Sequence, residues 1–156
     1  MIDVLTIGRM KNAHLASLAE DYLGRIARFA PCRHRALRES RHRDENRSGR
    51  AILEEEGRHF LEALEKGAFC VLLDREGRSM SSEAFSRVLD ERAGGSGRQT
   101  AFLIGGFLGV SGEVRQRADL VLSLSPMTFP HEMALVLLLE QIFRGFTILN
   151  RIAYHK

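Results

Sequence analysis

Cysteine is scarce: only Cys32 and Cys70 occur, without a CxxC pair, so neither a disulfide framework nor a zinc site is indicated. Cys70 lies inside the apolar run 69–73 and reads as a small buried hydrophobe. Long apolar stretches are missing as well. The longest tract, residues 133–139, falls far short of the ~20 residues a membrane span needs, and Glu140, Gln141 and Arg144 follow it. The first residues, MIDVLTIGRMK, lack the basic-then-apolar layout of a signal peptide. These absences predict a cytoplasmic, reduced protein with no metal and no membrane partner.

Lysine is also rare, with 3 residues against 20 arginines in a chain of net charge +3. That ratio fits either a bias toward arginine codons or a phosphate-facing surface, since guanidinium forks bind phosphate oxygens in pairs. Arg33, Arg35, Arg38, Arg41, Arg43, Arg47 and Arg50 cluster, with His34 and His42 among them. The cluster reads either as a solvated loop or as an electrostatic footprint on RNA.

What is present is an ordinary globular composition, 44% hydrophobic and 28% charged over 156 residues, which fits a single domain spanning residues 1–156. Apolar runs at residues 1–8, 69–73, 100–104 and 120–124 read as strands, with a further short strand expected around 33–39. Helical spacing marks 12–29, with Asn12 as N-cap, and 49–66, opened by Ser48 or Gly49. Further helices are expected after Ser81 or Ser82, at 112–117 and from His131 to Leu149. Residues 74–78 read as a turn, as do the glycine-rich 93–97 and 105–109. Wholly apolar strands alternating with helices predict an α/β fold: a Rossmann-like, mainly parallel sheet with helices on both faces.

The chemistry candidates gather in the last third. Gly105, Gly106 and Gly109 follow a strand directly, a pattern of a tight turn or of a nucleotide-like site. No GxGxxG or GKS/T accompanies them, which argues against a dinucleotide enzyme and against a P-loop. Next comes Leu124-Ser125-Pro126-Met127-Thr128-Phe129-Pro130-His131, whose two prolines impose a stiff, extended path that could wall a small-molecule pocket. The helix from Met133 is apolar on nearly all sides for its first two turns. At the edge of a molecule such a helix needs a second subunit to cover it, which motivates a homodimer. Arg144 either pairs with Glu140 at i,i+4 or projects into a site. The ending Tyr154-His155-Lys156 is either a frayed tail or a stacking, titrating and charged set suited to a nucleotide.

In order and spacing these features resemble the RlmH (YbeA-type) large-subunit ribosomal RNA methyltransferases of the SPOUT class, over the whole chain. The resemblance runs through Val4 to Gly8, Tyr22-Leu23-Gly24-Arg25-Ile26, and Leu73-Asp74-Arg75-Glu76-Gly77-Arg78 with Ser81-Ser82-Glu83. It is most specific in FLIGGFLG, LSLSPMTFPHEM, LLLEQIFR and AYHK. It implies a sheet whose C-terminal part threads into a trefoil knot, an exception to the near-absence of knots. It also implies S-adenosyl-L-methionine as cofactor and N3 of a pseudouridine in 23S ribosomal RNA, within the ribosome, as substrate. Cofactor contacts would fall on Leu73, Gly105, Leu124, Ser125, Pro126, Met127, Thr128 and Phe129. Catalytic and substrate positions would fall on His131, Arg144, Tyr154 and His155, shared across a homodimer interface. Arg144 would stabilise charge on the base, and His131 or His155 would take the proton. Leu135 stands where the family pattern has an arginine, and the approach to the final Tyr-His departs from the pattern too. These departures motivate an alternative, a ribosome-associated RNA-binding protein of the same fold with weak or no methyl transfer.

Overall fold

The computed structural model describes residues 1–40, 48–93 and 99–154. Arg41, His42, Arg43, Arg47 and His155 therefore lie outside the described residues. The described elements alternate along the chain: β1 (Ile2–Ile7), α1 (Ala13–Ile26), β2 (Cys32–Leu37), α2 (Gly49–Ala63), β3 (Phe69–Ser79), α3 (Ser82–Ala93), β4 (Thr100–Ile104), α4 (Gly112–Arg117), β5 (Leu120–Ser123) and α5 (His131–Leu149). The strands form one sheet in the order β2-β1-β4-β3-β5, and every pair is parallel. Parallel neighbours require crossover connections, so helices must cover both faces.

Alternation along the strands divides the core in two. Val4, Val71 and Phe102 face one layer, which α1, α3 and α5 close with Ile26, Phe85, Leu89, Leu138 and Ile142. Leu5, Leu72 and Leu103 face the other layer, closed by Phe60 of α2 and Val114 of α4. Asn12 caps α1 by accepting from the amides of His14 and Leu15, as its position predicted. Ser48 does the same for α2, and Ser81 accepts from the amide of Ala84 at the start of α3.

Three expectations are revised. Residues 74–78 do turn, for the Asp74 carboxylate accepts from the amide of Glu76, but the turn lies inside β3 rather than after it. Leu73 and Arg78 both register with Leu122, so the residues between them loop out and the strand resumes. A Cβ on Gly77 would lie 2.7 Å from the backbone of Leu122, which is why only glycine passes there. Second, α5 is not an edge helix. It lies between α1 and α3, and Leu135, Leu138, Leu139 and Ile142 are wholly buried within this chain. Its apolarity is thus largely satisfied internally and is no argument for a second subunit.

Third, the arginines at the head of the basic cluster are not free for RNA. Asp3 on β1 is fully buried and accepts from Arg33, Arg35 and Gln99, at 3.0 Å from Arg33 and 2.9 Å from Gln99. Arg35 also donates to the carbonyl of Ala63 at the end of α2. A buried carboxylate needs such partners, because its desolvation is otherwise uncompensated. Burial pushes the Asp3 carboxyl up, but the hydrogen bonds from Arg35 and Arg33 outweigh it and hold the group below its ordinary value.

Asp3→Asn is therefore expected to lower stability by about 3 kcal/mol, since it removes the charge from a buried pair, and urea denaturation will read the loss. The pH dependence has a definite sign. A depressed folded-state value means that Asp3 contributes fully above its unfolded pKa of 3.8, and that this contribution is lost as pH falls through the folded value. Acid unfolding of the wild type should show that loss only at pH below about 4, and Asp3→Asn should lack it.

Candidate functional site

The carboxyl ends of β3, β4 and β5 open onto one cavity of about 820 Å³, a volume suited to a nucleotide-sized ligand. Three segments wall it: Leu73, Asp74 and Arg75 from the β3 loop, residues 104–110 after β4, and residues 124–134 after β5 except Pro126, Glu132 and Met133. Ligands of open α/β sheets bind at this end of the strands, where neighbouring connections diverge.

The glycine turn is shaped by close packing. A Cβ on Gly105 would lie 2.5 Å from the Gly109 carbonyl oxygen and 2.8 Å from the Val110 side chain. Gly109 has φ +88 and donates its amide to the carbonyl of Gly106, so the chain doubles back within four residues. The facing loop is closed by Ser125, whose hydroxyl accepts from the amide of Met127 at 3.0 Å. Ser123 ties the base of that loop to β3 by donating to the carbonyl of Arg75.

Of the positions expected to hold a cofactor, Leu73, Gly105, Leu124, Ser125, Met127, Thr128 and Phe129 line this cavity. Pro126 does not; it is exposed at the bend of the loop. His131, the first residue of α5, lines the cavity too, and its Nε2 is buried without a hydrogen-bond partner among the described residues. Glu132 beside it accepts from the amides of Lys11 and Asn12, both at 3.0 Å, which fastens the loop between β1 and α1 to the start of α5.

Arg144 and Tyr154 sit elsewhere. Thirteen residues separate His131 from Arg144 on α5, or about 20 Å at the helical rise. There Arg144 donates through Nε and Nη2 to Glu140, and its guanidinium lies 4.9 Å over the Tyr154 ring. Tyr154 packs edge-on against Phe143 and donates to the same Glu140 oxygen at 3.3 Å. Burial, then the hydrogen bond with Tyr22, pushes the Tyr154 phenol up to about 12, so it is a neutral donor at physiological pH. Within one chain the structure does not bring His131 together with Arg144 and Tyr154.

Sequence reasoning missed several wall residues: Asp74 and Arg75, hidden in what reads as an ordinary turn, and Phe107, Leu108 and Val110. The available signal was position for Phe107, Leu108 and Val110, which follow the end of β4, whereas Asp74 and Arg75 stand in a bulge of β3 that only pairing with β5 reveals. Among the described residues no three His, Cys, Asp or Glu side chains are placed to hold a metal ion, and no helix is long and apolar enough to cross a membrane.

A wholly parallel sheet with its cavity among glycine and proline loops defines an open α/β protein of the Rossmann-like class. The family model described as "Predicted SPOUT methyltransferase" matches residues 1–155, and the chain belongs to that family. "Ribosomal RNA large subunit methyltransferase H" of Syntrophotalea carbinolica is 39% identical over 154 residues, covering 99% of this chain and 97% of that protein. The protein of the same name from Caldicellulosiruptor saccharolyticus is 35% identical, with 100% of each chain covered. Among solved structures, a probable methylase family protein from Haemophilus influenzae superposes with a TM-score of 0.56 at 10% identity. That match covers 96% of this chain and 66% of the other, just under two thirds, and speaks to the fold alone. The strand order is compatible with the C-terminal knot that the resemblance implies.

Gly105→Ala forces its new methyl into the Gly109 carbonyl, so stability should drop by about 1–3 kcal/mol, the usual cost of overpacking. A chemical-denaturation midpoint equal to that of the wild type would contradict the geometry.

Proposed function

We propose that this protein transfers a methyl group from S-adenosyl-L-methionine to N3 of a pseudouridine in 23S ribosomal RNA, acting as a homodimer on the ribosome in the cytoplasm. The observation that carries the reading is the cavity shared by the ends of β3, β4 and β5, in a chain that matches large-subunit methyltransferases end to end.

The cavity suits the cofactor. Its volume is adequate, its walls are mainly apolar with a few polar groups, and an imidazole nitrogen on its border has no partner among the described residues. Leu73, Gly105, Leu124, Ser125, Met127, Thr128 and Phe129 would hold it, with Pro126 stiffening the loop from outside. When bound, S-adenosyl-L-methionine supplies an electrophilic methyl sulfonium, which needs no metal to react.

The protein's own task is to place N3 in line and to favour its deprotonated form. His131 is the imidazole on the cavity wall and the residue we assign to the N3 proton. Arg144 stabilises negative charge developing on the base, held in orientation by Glu140 and by the face of Tyr154. Because some 20 Å of helix separates Arg144 from His131 in one chain, a second copy must carry its Arg144 and Tyr154 to this cavity. That separation is the reason for proposing a dimer. The alternative, an RNA-binding protein without efficient transfer, loses one of its motives: Leu135 is wholly buried in the core and belongs to packing rather than to an RNA surface.

Incubation with radiolabelled S-adenosyl-L-methionine and ribosomes lacking the methyl group should give incorporation into 23S RNA. Arg144→Ala should lower kcat at least about 100-fold, the scale for loss of one charge-stabilising group, with cofactor affinity in calorimetry unchanged. Incorporation at the wild-type rate in that variant would remove Arg144 from the mechanism, and saturable cofactor binding without transfer to ribosomes would point to another acceptor.

A further inference from the structure

Phe107 is 92% exposed, although it lines the mouth of the cavity, and Met127 on the facing loop is 73% exposed. Leu108 beside Phe107 is 39% exposed. Nothing in the fold calls for an aromatic ring at the tip of the glycine turn. The turn is closed by the amide of Gly109 on the carbonyl of Gly106. Its underside is filled: a Cβ on Gly106 would already be 3.2 Å from Glu56 and 3.4 Å from Ile7. The ring instead stands out at the cavity mouth. A large apolar side chain held in water beside a binding cavity marks a contact surface.

We propose that Phe107 is a stacking platform for the target base of the RNA, and so determines affinity for that substrate; the inference rests on the function proposed above. N3 belongs to the base-pairing edge of a pyrimidine, and enzymes that act on a base take it out of its stack. A base drawn to the cavity mouth loses its stacking neighbours, and an aromatic face there replaces them.

The surroundings favour nucleic acid over protein. Arg75 shares the cavity wall, with its side chain 62% exposed, and so offers a cation for backbone phosphate beside the ring. Leu108 lies against the start of α2, 3.6 Å from the Cβ position of Gly49. Aromatic rings interleaved with cations suit a single strand, whose bases stack while its phosphates pair.

The chain contains no tryptophan, so Phe107→Trp introduces a single indole reporter at this position. With unmethylated ribosomes as substrate, Phe107→Ala and Phe107→Leu should each raise KM about tenfold, while Phe107→Trp and Phe107→Tyr restore it. The leucine variant separates stacking from mere apolar contact; wild-type KM there would overturn the proposal. So would a change in S-adenosyl-L-methionine affinity on Phe107→Ala, which would place the ring on the cofactor. Weakened self-association of that variant in sedimentation would place it on a second copy and sink the idea equally. Independently of turnover, indole fluorescence of Phe107→Trp should be quenched by a pseudouridine-bearing stem-loop from 23S RNA and unaffected by cofactor alone. Should the wild type prove unable to methylate ribosomes, that quench still decides the matter: quenching keeps the RNA platform while the methylation reading fails, and its absence overturns the platform.

Discussion

Leu73 stands opposite both Ile104 and Leu122 in the parallel ladder, so the bulge of β3 and the ends of β4 and β5 leave the ladder at one level and at one end of the sheet. Three loops of unrelated sequence are thereby forced to share a border, and the cavity is the space between them. Parallel pairing exacts the rest. Strands that cannot be joined by hairpins need crossovers, the crossovers supply α2 and α4 on one face and α1 and α3 on the other, where α5 packs between them, and both faces must be apolar.

Charge is distributed by the same frame. At the start of β1, Asp3 is sealed under Arg33, Arg35 and Gln99, and this network joins β1, β2, the end of α2 and the residue preceding β4. Other arginines are similarly committed. Arg117 donates to the carbonyl of Ala68 and pairs with Asp119, Arg115 pairs with Asp74, and Arg144 with Glu140. Much of the arginine surplus therefore serves the protein's own carboxylates and carbonyls. Its geometry suits this, because a planar fork satisfies two acceptors at once. Arg75, at the cavity mouth, is oriented differently: its only ion pair among those described is a long 4.0 Å approach to its exposed neighbour Glu76.

Helix α5 carries both halves of the proposed site and also keeps them apart. Its first residue borders the cavity, its middle is core between α1 and α3, and its last turns carry Arg144 towards the tail. Glu140 organises that distal end, accepting from Arg144, Gln141 and Tyr154 together. A rigid helix cannot bend 20 Å back on itself, so a reaction that uses both ends needs two molecules. A second subunit is thus called for by the proposed chemistry and not by surface apolarity, which α1 and α3 already satisfy.

Most of the architecture was legible in the sequence. Residue order alone determined the alternation of strands and helices, the caps at Asn12 and Ser48, the glycine turn and the proline loop, because these depend on local periodicity and backbone preference. Part of the cavity wall was legible through motif resemblance, although Pro126 lies outside the cavity. Other features were decided only by tertiary structure. Residues 74–77 look like a plain turn until β5 pairs on either side of them, and Arg33 and Arg35 look like a free basic patch until Asp3 is buried beneath them. The apolarity of α5 marks it as a helix that must be covered, but whether by this chain or a second copy is open until α1 and α3 enclose it. In each case the deciding contact comes from a residue distant in sequence, and periodicity carries no information about which element will lie across the interface.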